Sequence, residues 1–96
     1  MKLNVILNNS IINFYLKCGD LINSTKLFNE MKINNQLNDI ITWNIMINGY
    51  IENKKYNESL KLFKEMQINY KLKPDEITII SILNACNHSG LINESI

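Results

Sequence analysis

The sequence contains no arginine, and its net charge is only +1 because ten lysines are nearly balanced by nine acidic residues. Proteins that bind nucleic acids by themselves usually carry a strong basic excess, and arginine supplies the planar fork that pairs with phosphate through two hydrogen bonds. The composition therefore argues against a binder that depends on a large positive field.

Cysteine and histidine are also scarce. Cys18 and Cys86 form no CxxC pair, and His88 is the single histidine. We predict that both cysteines are small buried thiols, because a cysteine outside a disulfide packs as a small hydrophobe, and that His88 lies in a turn or on the surface. There is no spaced zinc-ligand set, no nucleophile beside a base and no glycine-rich phosphate loop, so we predict a protein that is not an enzyme and needs no cofactor or metal.

Long apolar runs are missing as well. No window approaches the roughly 18 continuous apolar residues that a membrane span requires. The N-terminal stretch MKLNVILNN has neither the apolar core of a secretory signal nor the arginine-rich character of a transit peptide. We therefore expect no membrane partner, and no targeting signal is visible in the sequence.

What the sequence does contain is an internal repeat. Asn9 and Asn44 are 35 positions apart, and Asp39 and Asp75 are 36 positions apart. The same offsets relate further pairs, which include Tyr15 and Tyr50, Ser24 and Ser59, Met31 and Met66, and Thr42 and Thr78. A fixed period of this length is typical of helical solenoids, in which each unit buries its apolar face only against its neighbours. The repeat therefore predicts an all-α fold of stacked helical hairpins.

Apolar residues at helical spacing define the first repeat. They predict one helix from Ile6 to Lys17 and a second that ends near Lys32. Between the helices, Gly19 suits a left-handed C-terminal cap and Asp20 suits an N-cap. The asparagine-rich segment 33–38 shows no apolar periodicity, so we predict that it is the turn between repeats.

The second repeat opens with two candidate caps, Asp39 and Thr42, before an apolar helical face. We predict that Trp43 and Tyr50 on this face pack in the core and do not stack on a ligand. Its second helix has an apolar face of Tyr56, Ser59, Leu60, Phe63 and Met66.

The turn of the second repeat departs from the first. Lys54 stands where the first repeat has Gly19, so we expect Asn53 to take the left-handed position or a different turn to replace it. The charged residues of the following helix should lie on its outer side and form weak ion pairs at helical spacing: Glu58, Lys61 and Glu65.

Pro74 should end any preceding helix and mark the third repeat. The next helix is predicted to run from about Ile77 to Cys86 with Gly90 as its cap, and the final helix over residues 91–96 should be incomplete. The resulting repeats are 5–39, 40–75 and 76–96. Because solenoids generally need at least about three units, we expect a fragment of a longer array with about two and a half repeats.

The stretch DIITWNIMINGYIENKKYNESLKLFKEMQ, followed by KLKPD, resembles a pentatricopeptide repeat (PPR). The upstream copy NNSIINFYLKCGDLINSTKLFNEM is similar to the short variant of this repeat, and PDEITIISILNACNHSGLINES is similar to the long variant. This order resembles the alternating short, standard and long (PLS-type) subclass. The tetratricopeptide repeat, with a period of about 34 residues and a different signature, fits less well. The resemblance implies a right-handed α-solenoid of antiparallel helix–turn–helix repeats.

The resemblance also implies modular recognition of single-stranded RNA, one base per repeat, by a few side chains. The family's recognition positions fall on Asn9 with Asp39 and on Asn44 with Asp75. Asparagine offers both a donor and an acceptor, and aspartate offers an acceptor, so either pair could contact the edge of an unpaired base. The family's pattern associates the Asn/Asp pair with uridine.

Apolar residues three positions before each asparagine should contact the face of the base in the family's arrangement. These are Ile6 and Ile41, with Ile77 at the same place in the third repeat. Ile80 occupies the recognition position of the third repeat and offers no hydrogen bond, so we expect little base selection there.

Two hypotheses about function remain open. The resemblance implies a role in organellar RNA processing, modification or editing in mitochondria or plastids. Because we expect no deaminase-like extension in this chain, an editing or processing enzyme would act in trans. The near-neutral charge instead favours a protein–protein interaction scaffold, and an asparagine or aspartate at a helix start is often only a cap. Steep salt dependence would distinguish RNA binding from an apolar peptide groove.

Overall fold

The computed structural model describes residues 2–89, with side chains described for residues 4–87. That part of the chain forms helices and no strands. The helices are α1 Lys2–Lys17, α2 Leu21–Ile33, α3 Ile40–Glu52, α4 Tyr56–Ile68 and α5 Glu76–Ser89. Helices α1, α3 and α5 contact one another in succession, while α2 packs against α1 and α4 packs against α3 and α5. The fold is therefore an all-α helical-repeat solenoid, as predicted, and the hand of its superhelix stays a prediction.

Aspartates cap the starts of α2 and α3. Asp20 accepts a hydrogen bond from the backbone N–H of Asn23, which confirms it as the N-cap of α2. Asp39, not Thr42, is the N-cap of α3, where its carboxylate accepts from the N–H of Ile41. A side-chain oxygen at this position satisfies one of the donors that a helix start leaves unpaired. Thr42 is thereby left to make a different contact, described below.

The turn between α1 and α2 and the turn between α3 and α4 have the same backbone geometry despite their different sequences. Gly19 has φ of +77°, which confirms the predicted left-handed cap, and Lys54 has φ of +64° at the same place in the second repeat. The expectation that Asn53 would take this conformation or that a different turn would form is wrong, because the φ of Asn53 is −94° and Lys54 repeats the geometry of Gly19. The Asn53 side chain instead donates to the carbonyl oxygens of Leu16 and Gly49 and so joins the two repeats.

The core is centred on Trp43, which lies edge-on to Phe28 with ring centroids 5.0 Å apart. Trp43 and Tyr50 are both buried, which confirms that they are packing residues. Leu37 is fully buried as well, at 0% exposure, although it lies in the segment that showed no apolar periodicity. Leu37 is the single apolar residue among the polar residues 34–39, and one residue does not define a periodic face, so the periodicity could not identify it.

Several further predictions need correction. Cys18 is exposed in the turn after α1, so the prediction of a buried thiol is wrong there, whereas Cys86 is half-buried against the core. Glu65 does not lie on an outer face with Lys61, because it pairs with Lys32 of the preceding repeat at an N–O distance of 2.7 Å and both side chains are partly buried.

The helix bounds differ from the predictions mainly at the N-terminus. Helix α1 begins at Lys2 instead of Ile6, because the apolar stripe continues through Val5, which packs against the core. The backbone of His88 is helical and does not form a turn. The segment around Pro74 is not helical, as predicted. The predicted cap at Gly90 and the helix over 91–96 lie outside the described residues.

Candidate nucleic-acid interface

Large apolar side chains recur on the exposed side of the layer formed by α1, α3 and α5. Ile6, Ile41 and Ile77 lie near the starts of these helices and are 60%, 54% and 60% exposed. Their spacing of 35 and 36 positions places one of them in each repeat. Exposed apolar residues that recur in this way, unlike scattered ones, indicate a surface that contacts a ligand or partner.

A cavity of about 370 Å³ lies between α3 and α5. It brings together Ile41, Asn44 and Asp75, which the sequence had assigned to the second repeat, with Ile77, which it had assigned to the third. The remaining lining residues are Asn13, Ile45, Asn48, Gly49 and Glu52. Isoleucine side chains from two neighbouring repeats and a polar pair thus line one slot, which we call the α3–α5 cavity.

Asn44 and Asp75 are joined directly in this cavity. The Nδ2 of Asn44 lies 3.1 Å from Oδ1 and 3.3 Å from Oδ2 of Asp75, and it donates to the carboxylate. The hydroxyl of Thr78 donates to Oδ1 of Asn44. Three side chains from the second and third repeats therefore form one hydrogen-bonded cluster.

Asp75 also begins helix α5. Its Oδ1 accepts from the backbone N–H of Thr78 at 3.0 Å, and its own N–H donates to the Thr78 hydroxyl at 3.3 Å. The backbone hydrogen bond from Thr78, with a smaller contribution from Asn44, lowers the pKa of Asp75 below its ordinary value of 3.8. The exposed carboxylate is therefore negative at neutral pH and acts only as an acceptor.

The corresponding residues of the first repeat are arranged differently. The hydroxyl of Thr42 donates to Oδ1 of Asn9 at 2.6 Å, as Thr78 does to Asn44. Asp39, however, caps Ile41, and within residues 4–87 no hydrogen bond joins it to Asn9. The predicted Asn/Asp pair is therefore joined in the second repeat and separate in the first. Ile80, at the third recognition position, is exposed.

Sequence reasoning did not identify Thr42 and Thr78 as part of the site. Both side chains are fully or almost fully buried, and each contacts the recognition asparagine of the repeat before it. A signal was present, because the two threonines stand at equivalent positions of the repeat. A polar residue that recurs at a buried helix position needs a hydrogen-bond partner, and this requirement could have pointed to the asparagines.

The electrostatics of the α3–α5 cavity are acidic. Asp75 and Glu52 line it, and no lysine is among its lining residues. The Nζ of Lys17 lies 3.4 Å from Oε1 of Glu52 in an exposed ion pair between the first and second repeats. Glu52 thus pairs with Lys17, a cation that could otherwise contact a phosphate.

A sequence model described as the PPR repeat family matches residues 38–88, which is more than half of the chain, and one described as the PPR repeat matches residues 9–35. The chain belongs to the PPR repeat family. The first match spans α3 to α5, and the second begins within α1 and continues to the end of α2. The matches together cover both helical hairpins, α1–α2 from Asn9 onward and α3–α4, and most of α5.

Curated PPR proteins from Arabidopsis thaliana align with nearly the whole chain. The chain is 41% identical over 91 residues to pentatricopeptide repeat-containing protein At3g14730, covering 95% of this chain and 13% of that protein. It is 42% identical over 91 residues to At2g03880, mitochondrial, covering 95% and 14%. It is 41% identical over 96 residues to ELI1, chloroplastic, covering 100% and 15%. The PPR chain therefore spans between 13% and 15% of the length of these relatives.

Over the residues that the structure describes, no helix combines the length and the apolar character needed to span a membrane.

Proposed function

We propose that this PPR chain binds single-stranded RNA across the face formed by α1, α3 and α5, with one base at each repeat. In the second repeat the base lies between Ile41 and Ile77, and Asn44 and Asp75 contact its edge. The observation that carries this proposal is that all four side chains line the α3–α5 cavity. Apolar side chains on two sides and a donor beside an acceptor suit a flat ligand with a hydrogen-bonding edge.

The proposed base is uridine. The PPR pattern associates the Asn/Asp pair with this base, and the edge of uracil carries carbonyl acceptors beside an N–H donor. Asn44 supplies an N–H donor and Asp75 a carboxylate acceptor, so the pair is complementary to that edge. In the first repeat, Asn9, Asp39 and Ile6 take the corresponding roles.

The wider role that we propose is organellar RNA processing, modification or editing, with the catalytic enzyme supplied in trans. Relatives named mitochondrial and chloroplastic support a mitochondrial or plastid location. The repeats 5–39, 40–75 and 76–96 and the alternating PLS-type order are part of the same proposal. They are supported by the offsets of 35 and 36 positions and by the variant motifs in the sequence.

A protein–protein scaffold is the alternative that a specific observation favours. Asp75 and Glu52 make the α3–α5 cavity acidic, and no lysine lines it. Such a cavity repels phosphate and would accept an apolar or basic peptide more readily. In this alternative the Asn44–Asp75 pair serves only to join neighbouring repeats.

The test is an NMR titration of the ¹⁵N-labelled 96-residue chain. The ligands are four oligoadenylates in which the two central bases are UU, CC, GG or AA, each titrated at low and at moderate salt. We expect the amide signals of Ile41, Asn44 and Ile77 to saturate first with UU, and the affinity to fall steeply with salt.

Matched variants connect that preference to the cavity. Asn44→Ala should abolish the preference for uridine, and Asp75→Asn should weaken it while the helix cap is retained, because asparagine caps as well as aspartate. Asn57→Ala, an exposed asparagine on α4, is the control and should leave it unchanged. Equal binding of all four RNAs would overturn base recognition, as would unchanged NMR signals of the cavity residues at low salt. Either result would favour the protein–protein scaffold.

A further inference from the structure

The orientation of the Asn44 carboxamide determines what the α3–α5 cavity presents to a base. A flip about the terminal bond exchanges the oxygen and the NH₂ group with almost no change of shape, so the partners of the two ends decide which orientation is stable. Nδ2 donates to both carboxylate oxygens of Asp75, and Oδ1 receives the hydroxyl of Thr78. Both ends of Asn44 are therefore held in the free protein.

We propose that Thr78 is a positioning residue that determines base specificity in the second repeat, although it belongs to the third. Its hydroxyl holds the oxygen of Asn44, so that NH₂ points toward Asp75 and the cavity. The base at this repeat therefore meets an N–H donor and selects for a carbonyl acceptor. This inference rests on the proposed RNA binding and names the group that orients its recognition residue.

The Asp75 carboxylate and the Thr78 hydroxyl together disfavour the flipped orientation. It would place Oδ1 of Asn44 against the Asp75 carboxylate, two acceptors with no proton between them. The Thr78 oxygen already accepts the N–H of Asp75 at 3.3 Å, which directs its own proton away from that donor. The same hydroxyl lies 2.8 Å from Oδ1 of Asp75, but that oxygen already accepts from the N–H of Thr78 and from Asn44. The Oδ1 of Asn44 has Thr78 as its donor, so the hydroxyl proton goes to Asn44.

Burial makes Thr78 a rigid support. Its side chain is 1% exposed, so its hydroxyl proton must go to a protein acceptor and cannot be exchanged for water. As a β-branched residue in a helix it also has few rotamers. The hydroxyl therefore stays in place when a ligand enters the cavity.

The first repeat has the threonine–asparagine hydrogen bond but not the asparagine–aspartate one. Thr42 donates to Oδ1 of Asn9, but Asp39 caps Ile41 and leaves the NH₂ end of Asn9 without a carboxylate. A threonine hydroxyl can either donate or accept, so Thr42 alone permits both orientations of the amide. We therefore expect the first repeat to discriminate less between bases than the second.

The first part of the test needs no RNA. In the ¹⁵N-labelled 96-residue chain, the side-chain NH₂ of Asn44 should show nuclear Overhauser effects to the Hβ protons of Asp75. These effects should weaken in Thr78→Val, which keeps the side-chain shape and the backbone N–H that donates to Asp75. They should persist in Thr78→Ser, which keeps the hydroxyl. If the wild-type chain lacks these effects, the proposed orientation is wrong, whatever the variants do.

The second part uses the UU, CC, GG and AA oligoadenylates. Thr78→Val should reduce the preference for UU over CC by roughly 3- to 10-fold, the effect of one neutral hydrogen bond, with a smaller loss of total affinity. Thr78→Ser should restore the preference, and Thr42→Val should change it less. Circular dichroism confirms that each variant is folded.

The outcomes separate the two proposals. If the wild type prefers uridine and Thr78→Val keeps the full preference, the positioning role of Thr78 is overturned while RNA recognition stands. If the wild type shows no base preference but the Overhauser effects respond to Thr78→Val, the orientation holds and the proposed base recognition fails.

Discussion

The indole Nε1 of Trp43 donates a hydrogen bond of 3.1 Å to the carbonyl oxygen of Leu37, and this bond ties α3 to the connection that precedes it. Both residues are fully buried, so no water can replace either partner. The bond explains how a connection that lacks regular structure holds one repeat against the next.

Trp43→Phe should therefore destabilise the fold by about 2–4 kcal/mol, because it leaves the Leu37 carbonyl unpaired and opens a gap in the core. Urea unfolding followed by circular dichroism measures the change. Ile22→Ala, at a side chain that is 81% exposed, is the control and should change stability little. A loss for Trp43→Phe no larger than that of the control would contradict the role assigned to this bond.

Gly49 of α3 lies close to the side chain of Leu16 on α1. A Cβ at this position would lie 2.3 Å from Cδ1 of Leu16. Gly49→Ala should destabilise by about 1–2 kcal/mol, because overpacking outweighs the gain in helix propensity. Combining it with Leu16→Ala tests the cause, since the new methyl group then occupies vacated space. Strictly additive free energies of unfolding for the pair would show that the two side chains do not compete.

Lys54 holds a left-handed conformation that costs an L-residue about 1–2 kcal/mol. We expect Lys54→Gly to raise the free energy of unfolding by about 1 kcal/mol, since glycine adopts this conformation freely and loses only part of the gain to its more flexible unfolded state. Asn53→Gly is the comparison, and it should destabilise because it removes two side-chain hydrogen bonds. A change in the free energy of unfolding of the same sign for both variants would contradict this explanation of the turn.

Glu52→Gln should strengthen RNA binding. The substitution removes a negative charge from the cavity wall and releases Lys17 from its ion pair, so that the lysine can contact phosphate. One additional phosphate contact should steepen the slope of log affinity against log salt by about 0.7. Glu58→Gln on α4 removes an equal charge away from the cavity and should leave the slope unchanged. Equal effects of the two substitutions would indicate only a change in net charge.

The lowered pKa of Asp75 predicts that the stability of the fold depends on pH. Folding lowers its pKa below 3.8, chiefly through the backbone hydrogen bond from Thr78, so the folded protein binds this proton less readily than the unfolded chain. The resulting stability is fully present above 3.8 and is lost as the pH falls through the lower pKa of the folded state. A ¹³C NMR titration of the carboxyl group should locate this pKa. In Thr78→Val it should stay below 3.8, because the backbone donor remains, and a wild-type midpoint at or above 3.8 would contradict the assignment.

The helices and their caps were predictable because their causes are local. Apolar spacing and the residues Gly19 and Asp20 act within a few positions of the chain, so the repeat pattern was sufficient to place them. The turn at Lys54 was not predictable in this way. Its conformation is fixed by the hydrogen bond from Lys55 N–H to the Tyr50 carbonyl, the same bond that joins Asp20 to Tyr15, and this shared geometry overrides the preference of the residue.

The candidate site was predictable in register but not in detail. The repeat offsets identified Ile41, Asn44 and Asp75, which the structure brings into one cavity together with Ile77. The different behaviour of Asp39 could not be foreseen, because both aspartates begin a helix and open the same D-x-x-T pattern. Which backbone N–H each carboxylate caps depends on the connection before it, where only the second contains a proline.

The α3–α5 cavity crosses the boundary between two units of the sequence. A duplication or exchange that moves residues 40–75 as a block carries Asn44 and Asp75 but leaves Ile77 and Thr78 behind. The inserted block then acquires one wall of its cavity and the support for its asparagine from whichever repeat follows. The unit that evolution can copy is therefore out of phase with the unit that contacts a ligand, and arrays assembled from identical blocks should bind most uniformly when the residues after each junction are also kept identical.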